Sequence, residues 1–569
     1  MIAKLLKKSL LMFLSAVIAI GGALLVGCGR LGNAETIDNA RTQLYVGNFN
    51  GGYGDTWLRN AKVRFEELYK DQSFEEGKKG VQVWITNYSD RSICGTSLYE
   101  NISLSKEDMF FTEAIYYQDL VSSGKVLEIT DAVTEPLTEF GEEKSIEDKM
   151  FPNHVNYFKT QDKYYAIPFY EAFHGIIYDV DLFENELLYF AADKNNGNEG
   201  FILGLDDTRS AGPDNTPGTS DDGLPATYEE FYKLCDRIKA QGLQPITWSG
   251  QFPSEVTKTI SALHADYEGE EQMMLNVTFN GEATDLVESI DNNGNITLSE
   301  PTQITAQNGY LLAKQAGKYY ALDFFDTIIE REYYASLTFN TAISNTGAQE
   351  EYLYSSMSSK KTPIAMLVDG TYWENEATGI FTDMVNGGYG EKAAKTNRRF
   401  ALMPYPKATE EKLEENRASI FTDINYSAIV VNANIESFRI PLAKAFLRFL
   451  HTDTEMREYT VATNTPKPYN YTMTDEYLNQ MTYYGRSLYN LHSSSTIIYP
   501  ASNEEVFYKN QADLCPTMGT PWASIVNTRS FGIPVTALRE DGVNAKNYFE
   551  GISAARGETY WKTNILSKL

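Results

Sequence analysis

Aromatic rings beside carboxylates and amides recur at the ends of this chain's apolar runs. That pairing is the chemistry of gripping a polyhydroxylated molecule. A flat ring offers its face to the C–H side of a sugar, and a tyrosine adds a polar edge. Carboxylates and amides bond the hydroxyls, and a buried hydroxyl left unpaired costs about 1–3 kcal/mol, which makes such a site selective. The first candidates are Asn50, Tyr53 and Trp57, in and after the Gly-rich turn Asn48-Phe49-Asn50-Gly51-Gly52-Tyr53-Gly54. Glycines there let the backbone approach a ligand. The second group is Thr112, Glu113 and Tyr117, after the run ending at Phe111. Trp248 closes Pro245-Ile246-Thr247-Trp248, and Tyr372 and Trp373 follow Asp369-Gly370. Trp522, in Gly519-Thr520-Pro521-Trp522, is a candidate from the C-terminal stretch. With 38 Tyr, 29 Phe and 6 Trp in the chain, most rings must serve as core or ordinary surface, so position selects these few.

A metal is the second chemistry to weigh. The loop Gly212–Gly223 carries Asp214, Asp221 and Asp222, with Asp206 and Asp207 nearby. Calcium takes about 6–8 oxygen ligands from flexible acidic loops. The spacing departs from the EF-hand pattern, so a solvated acidic loop is the plainer alternative. Calcium here would be structural, and no cofactor is required. The five histidines are scattered and no CxxC pair occurs, which argues against zinc.

Lys4, Lys7 and Lys8 precede an apolar run, Leu10–Val26, that ends in Leu25-Val26-Gly27-Cys28. A basic flank, an apolar stretch and small residues make an export signal. The cysteine directly after them resembles a bacterial lipobox, which implies cleavage after residue 27 and a lipid on Cys28. Each buried methylene contributes about 0.8 kcal/mol, so two or more acyl chains hold a soluble domain on a bilayer. An ordinary secretory signal or a retained membrane helix is the alternative, but the run is short and broken by glycine. Cys94, Cys235 and Cys515 remain, an odd number that cannot form a full disulfide framework. The net charge of -28 becomes -31 once the three leader lysines are removed. Such a balance argues against nucleic acid and polyanionic partners. It leaves the lipid as the expected membrane contact.

Behind the leader, residues 28–41 read as a polar linker. At 42% hydrophobic and 22% charged, the rest is globular and long enough for more than one lobe. Strands are predicted at 43–47, 81–85, 109–111, 164–168, 173–178, 245–248, 362–368, 400–404 and 428–431. Asp55 is expected to cap a helix with Leu58, Ala61, Phe65 and Leu68 inward. Thr227 and Glu230 form a capping box for another, and a third starts near Pro441. Strands alternating with helices imply parallel sheets. Residues 184–223 and 270–310, rich in Asn, Gly and Thr, look inserted.

Several segments, in order, resemble the family-1 extracellular solute-binding proteins of ABC sugar importers, the group that includes maltose-binding protein. They are Gly175-Ile176-Ile177-Tyr178-Asp179, Leu224-Pro225-Ala226-Thr227-Tyr228-Glu229-Glu230-Phe231, Pro363-Ile364-Ala365-Met366-Leu367-Val368-Asp369-Gly370, Leu402-Met403-Pro404-Tyr405-Pro406 and Ala443-Lys444-Ala445-Phe446-Leu447-Arg448-Phe449-Leu450. The resemblance covers roughly residues 42–470. It implies an α/β, two-lobed periplasmic-binding-protein-like (type II) fold with a central cleft and hinge crossovers. The N-terminal lobe would hold 42–172 plus 428–470, and the C-terminal lobe 178–424 plus 475–569. Tyr170 and Glu171 would fall on one crossing, and Asn425 with Tyr426 on another. Glu113 would match a contact region, and one of Tyr372 and Trp373 a stacking platform. The implied protein is a monomeric, lipid-anchored receptor on the extracytoplasmic face of the cell membrane, passing an oligosaccharide to permease subunits without making or breaking a bond. A binding protein for peptide or another solute is the alternative. A surface glycoside hydrolase is a further one, needing two carboxylates roughly 5 or 6.5–9.5 Å apart.

Overall fold

The computed structural model describes residues 36–424, 427–499 and 522–568. Cys28, Asn425, Tyr426 and Cys515 lie outside the described residues. Nine strands carry two sheets: β1 (Thr42–Phe49), β2 (Val81–Tyr88), β3 (Met109–Glu113), β4 (Ala166–Ile167), β5 (His174–Asp179), β6 (Gln244–Thr247), β7 (Ile364–Gly370), β8 (Phe400–Met403) and β9 (Ser427–Val431). The first sheet has the order β2-β1-β3-β9-β4 and the second β8-β5-β7-β6. Each sheet belongs to one lobe.

Neither sheet is wholly parallel, which corrects the expectation from strand–helix alternation. β1 pairs parallel with β2 and β3, but β9 runs antiparallel to β3 and β4. β7 pairs parallel with β6, while β5 runs antiparallel to β7 and β8. The reversed strands, β5 and β9, are those the chain enters directly from the other lobe. They start at the hinge edge, whereas the remaining strands return through helices and end there.

The strands are long apolar runs because helices cover both faces. In the first lobe α1 (Thr56–Leu68) buries Trp57, Leu58, Ala61 and Phe65, a helical stripe. Asp55 stands at its N-cap position but does not cap it; its carboxylate takes Arg59 Nε at 2.5 Å and the Asn87 amide. The second lobe packs α2 (Tyr228–Ala240), α3 (Ser254–Thr278) and α4 (Ala316–Glu330) around β5 to β8. Thr227 caps α2 as expected, accepting from the Glu230 N–H. The chain then returns to the first lobe for α5 (Arg439–Phe449) and α6 (Asp453–Thr463). It ends on the second with α7 (Tyr483–Ser494) and α8 (Ala545–Arg556). The Ala545 N–H meets Asp326 of α4 at 2.7 Å, which ties the C-terminal helices to that lobe.

The two apparent insertions differ from their sequence reading. α3 runs on to Thr278, kinked at Gly269, so the decoration begins only beyond it, as two short antiparallel pairs. Residues 187–223 are polar in composition, yet they bury Leu188, Tyr189, Phe190, Phe201 and Ile202 on the lobe. A polar loop rich in Asx turns can still carry an apolar underside.

Among the described residues, the stretches 168–173, 422–424 and 464–482 run between the lobes. Ser427, opening β9, fastens the first to the second. Its hydroxyl oxygen accepts from the Phe169 and Tyr170 N–H groups at 3.2 and 3.0 Å. Among the described residues no helix is long and apolar enough to cross a membrane.

Candidate ligand site between the lobes

The turn after β1, the end of β3 and the first crossing converge on one side of the gap. Tyr170 donates to the Glu113 carboxylate, and Arg91 reaches the other oxygen of Glu113 at 3.2 Å. Gly51, at φ +40°, lies over this pair: a Cβ there would come within 2.7 Å of Glu113 Oε1 and 2.9 Å of the Tyr170 hydroxyl. The glycine is thus required by close approach as well as by its dihedral. Tyr53 packs edge-on to Tyr170 with centroids 4.7 Å apart. Asn50 is exposed at the rim.

The second lobe presents Tyr372, His174, Glu255 and Lys258 opposite. Gly370 pairs with His174 across β7 and β5, so Tyr372 emerges beside the histidine. Its hydroxyl lies 3.4 Å from both His174 Nε2 and Glu255 Oε2. Lys258, one turn along α3, donates to Glu255 at 2.7 Å. The lobes touch at the inner end. The Tyr53 hydroxyl is 3.0 Å from Thr371 Oγ1, and the rings of Tyr53 and Tyr372 stand edge to face at 6.1 Å.

Burial and neighbouring charge set the ionisation of this cluster. Burial pushes the Glu113 carboxyl up to about 7, against the pull of Arg91. Asp369, at the end of β7, is pushed up to about 8 by burial and then by the Glu376 carboxylate; Gln349 donates to both acids, at 3.0 and 2.9 Å. Burial and Lys258 drive His174 down to about 3, so its imidazole is neutral. Burial also works against the Glu255 carboxylate, which nevertheless sits below its usual range. A neutral His174 cannot supply the compensating charge, so we assign it to Lys258. The result is a polar site whose charges are paired within the protein, suited to a neutral, hydroxyl-rich guest.

Of the residues proposed from sequence, Asn50, Tyr53, Glu113, Tyr170 and Tyr372 come together here. The others do not. Tyr117 points into the first lobe, donating to the Phe158 carbonyl at 2.6 Å. Trp57 packs among Phe111, Phe169 and Tyr459. Trp248 is 1% exposed among Phe325 and Phe339, and Trp373 is fully buried against Phe400 and Tyr484. Of the adjacent rings it is therefore Tyr372 that faces the gap. Trp522 is likewise buried in the second lobe, its indole N–H on Ser261 at 2.9 Å. Glu171 turns away from the gap: its carboxylate pairs with His492 at 2.6 Å and accepts from Tyr499 at 2.5 Å.

The acidic loop satisfies itself. Asp221 accepts from the Asp214 N–H and the Thr219 hydroxyl, Asp214 from the Thr216 N–H, and Asp222 from the Gly218 N–H. Asp206 is exposed on a separate turn. Among the described residues no group of three or more His, Cys, Asp or Glu is placed to hold a metal ion, and the aspartates of this loop are engaged by its own N–H and hydroxyl groups.

His174, Glu255, Lys258 and Arg91 went unnoticed in the sequence. Glu255 looks like any acid favoured in the first turn of a helix. The detectable signal was the strand end at Thr247 followed by a helix start at Ser254, the place where such sheets present ligand groups.

No protein-family model matches the chain, and no curated protein matches it by sequence. Solved structures do. A chitin oligosaccharide binding protein is 14% identical, with a TM-score of 0.53 over 91% of this chain and 98% of that one. The solute-binding protein RafE, solved with raffinose, is 10% identical with a TM-score of 0.52, covering 90% and 98%. A structure from work on xylan utilization by the thermophilic bacterium Caldanaerobius polysaccharolyticus is 12% identical, with a TM-score of 0.51 over 90% and 99%. At these identities the likeness defines the fold alone: a two-lobed α/β architecture with one sheet in each lobe.

Proposed function

We propose that this chain is a sugar-capturing solute-binding protein of an ABC importer, related to the family-1 extracellular group. It holds an oligosaccharide between its lobes and releases it to permease subunits. The observation that carries this reading is the convergence on one gap of Tyr53, Tyr170 and Glu113 from the first lobe with Tyr372, Glu255 and Lys258 from the second. Rings and hydroxyl-gripping groups stand on both sides, so a guest touching both favours the closed arrangement over the open one. The proteins of like fold include a chitin oligosaccharide binder and one solved with raffinose, which supports a saccharide guest. No covalent step is part of the cycle.

The leader and Cys28 support delivery to the extracytoplasmic face, with a lipid on the cysteine as the membrane tether. A thermal-shift and calorimetric screen against maltodextrins and xylo-, manno- and chito-oligosaccharides, with peptides alongside, tests the substrate class. At least one glycan is expected to raise the melting temperature saturably. A response to peptides and to no glycan overturns the proposal.

A further inference from the structure

A cavity of about 390 Å³ lies behind the crossing segments. Glu171 marks the boundary. Its backbone carbonyl accepts from Tyr53 on the gap side at 3.3 Å, while its carboxylate meets His492 and Tyr499 on the cavity side. Phe151 and Asn153 of the first lobe, Lys467 and Tyr471 of the third crossing, and His492 and Tyr499 beyond it are among the walls.

The composition of those walls is unusual for this chain. With 77 Asp and Glu in the sequence, no acidic residue lines the cavity, and one lysine does. Lys467 is 2% exposed. Its ammonium has no hydrogen-bond acceptor and no carboxylate at ion-pair distance among the described residues; its neighbours are the ring faces of Tyr459 and Tyr469, at 4.6 and 6.0 Å. Glu455, the acid whose field reaches it, is already bound by Arg64 at 2.7 Å. Burial pulls the Lys467 ammonium down to about 7, with Glu455 opposing. An ammonium taken from water without a counter-charge is costly, and such groups are normally paired.

We propose that this rear cavity binds a small organic anion, a carboxylate or a phosphate monoester, with Lys467 as its counter-ion. Tyr471, Tyr499 and Phe151 would pack the carbon body. The site is separate from the interlobe gap and does not depend on what the gap binds.

The test is a melting experiment on the full chain with citrate, glycerol 3-phosphate or inorganic phosphate, each against sodium chloride at matched ionic strength. At least one organic anion is expected to raise the melting temperature of the wild type saturably by a few degrees, as ligand binding to the native state requires. Lys467→Met, which keeps the stem and removes the charge, is expected to lose that shift, and Lys467→Arg to keep part of it. Citrate alone acting assigns the carboxylate, and glycerol 3-phosphate alone the phosphate. Within the wild type itself the shift is expected to shrink from pH 6 to pH 9 as the ammonium deprotonates, a readout that does not depend on the variants folding. No shift with any of the three anions, a shift with inorganic phosphate only, or an equal shift in Lys467→Met overturns the proposal.

Discussion

Tyr372 and Trp373 are neighbours in sequence and belong to different regions of the molecule. Tyr372 stands in the gap with its hydroxyl near His174 and Glu255, whereas Trp373 is wrapped by Tyr352, Phe400 and Tyr484 inside the second lobe. The contrast extends further. The gap rings, Tyr53, Tyr170 and Tyr372, all have hydroxyls engaged with polar groups, while the interior indoles of Trp248 and Trp373 have N–H groups without a hydrogen-bond partner. Of the two adjacent rings, the tyrosine meets the acid of the gap and the tryptophan fills the lobe. In this chain the polar neighbours identify a ligand platform, and aromatic abundance does not.

The comparison breaks most visibly at Trp373. Trp373→Ala removes a fully buried indole, and large-to-small changes of that kind cost about 3–5 kcal/mol of stability. A steep fall in melting temperature is expected, with glycan affinity of the folded protein unchanged. Tyr372→Ala is expected to act the other way round, weakening glycan binding roughly tenfold to a hundredfold, about 1.4–2.8 kcal/mol. If calorimetry found the larger affinity loss in Trp373→Ala, the roles of the two rings would be reversed.

Asp369 sharpens the same contrast through pH. Its folded pKa of about 8 lies above the ordinary aspartate value of 3.8, so between these two pH values the native state holds a proton that the unfolded chain has released. That contribution to stability is present below about pH 4 and is lost as pH rises through 8. Asp369→Asn does not titrate, so its stability relative to wild type should grow by about 3–4 kcal/mol between pH 5 and pH 8. Denaturant melts at the two pH values check this, and a constant difference would contradict the burial assigned to the acid.

The smallest effect lies far from the gap. Asp221→Ala removes two loop hydrogen bonds and should cost about 1 kcal/mol. Calcium or a chelator should leave the wild-type melting temperature where it is. A rise of several degrees with calcium would restore an ion to the loop Gly212–Gly223.

Much of this architecture could be read from the sequence. The strands ending at Phe49, Glu113, Thr247 and Gly370 are announced by apolar runs. Strand direction could not be read, because an apolar run looks the same whichever way it is traversed. Nor could the fate of Trp248, Trp373 and Trp522, since a ring after a strand end points inward or outward according to the next turn of chain. Glu255 and Lys258 reach the gap because α3 starts beside Tyr372; the strand end at Thr247 marks the place in the sequence, but which side chains of the helix face the gap is a tertiary fact. The direction of Glu171, whose carboxylate faces His492, could not be read either.

The central claim is that one guest is held by both lobes at once, and calorimetric titration of the best-binding oligosaccharide into Glu113→Gln, Tyr372→Ala and the double variant tests it most directly. Each single change, one per lobe, is predicted to weaken binding at least tenfold with the fold intact, and the pair to abolish it. Wild-type affinity in both single variants would mean that the sugar binds elsewhere and that the gap between the sheets is not its site.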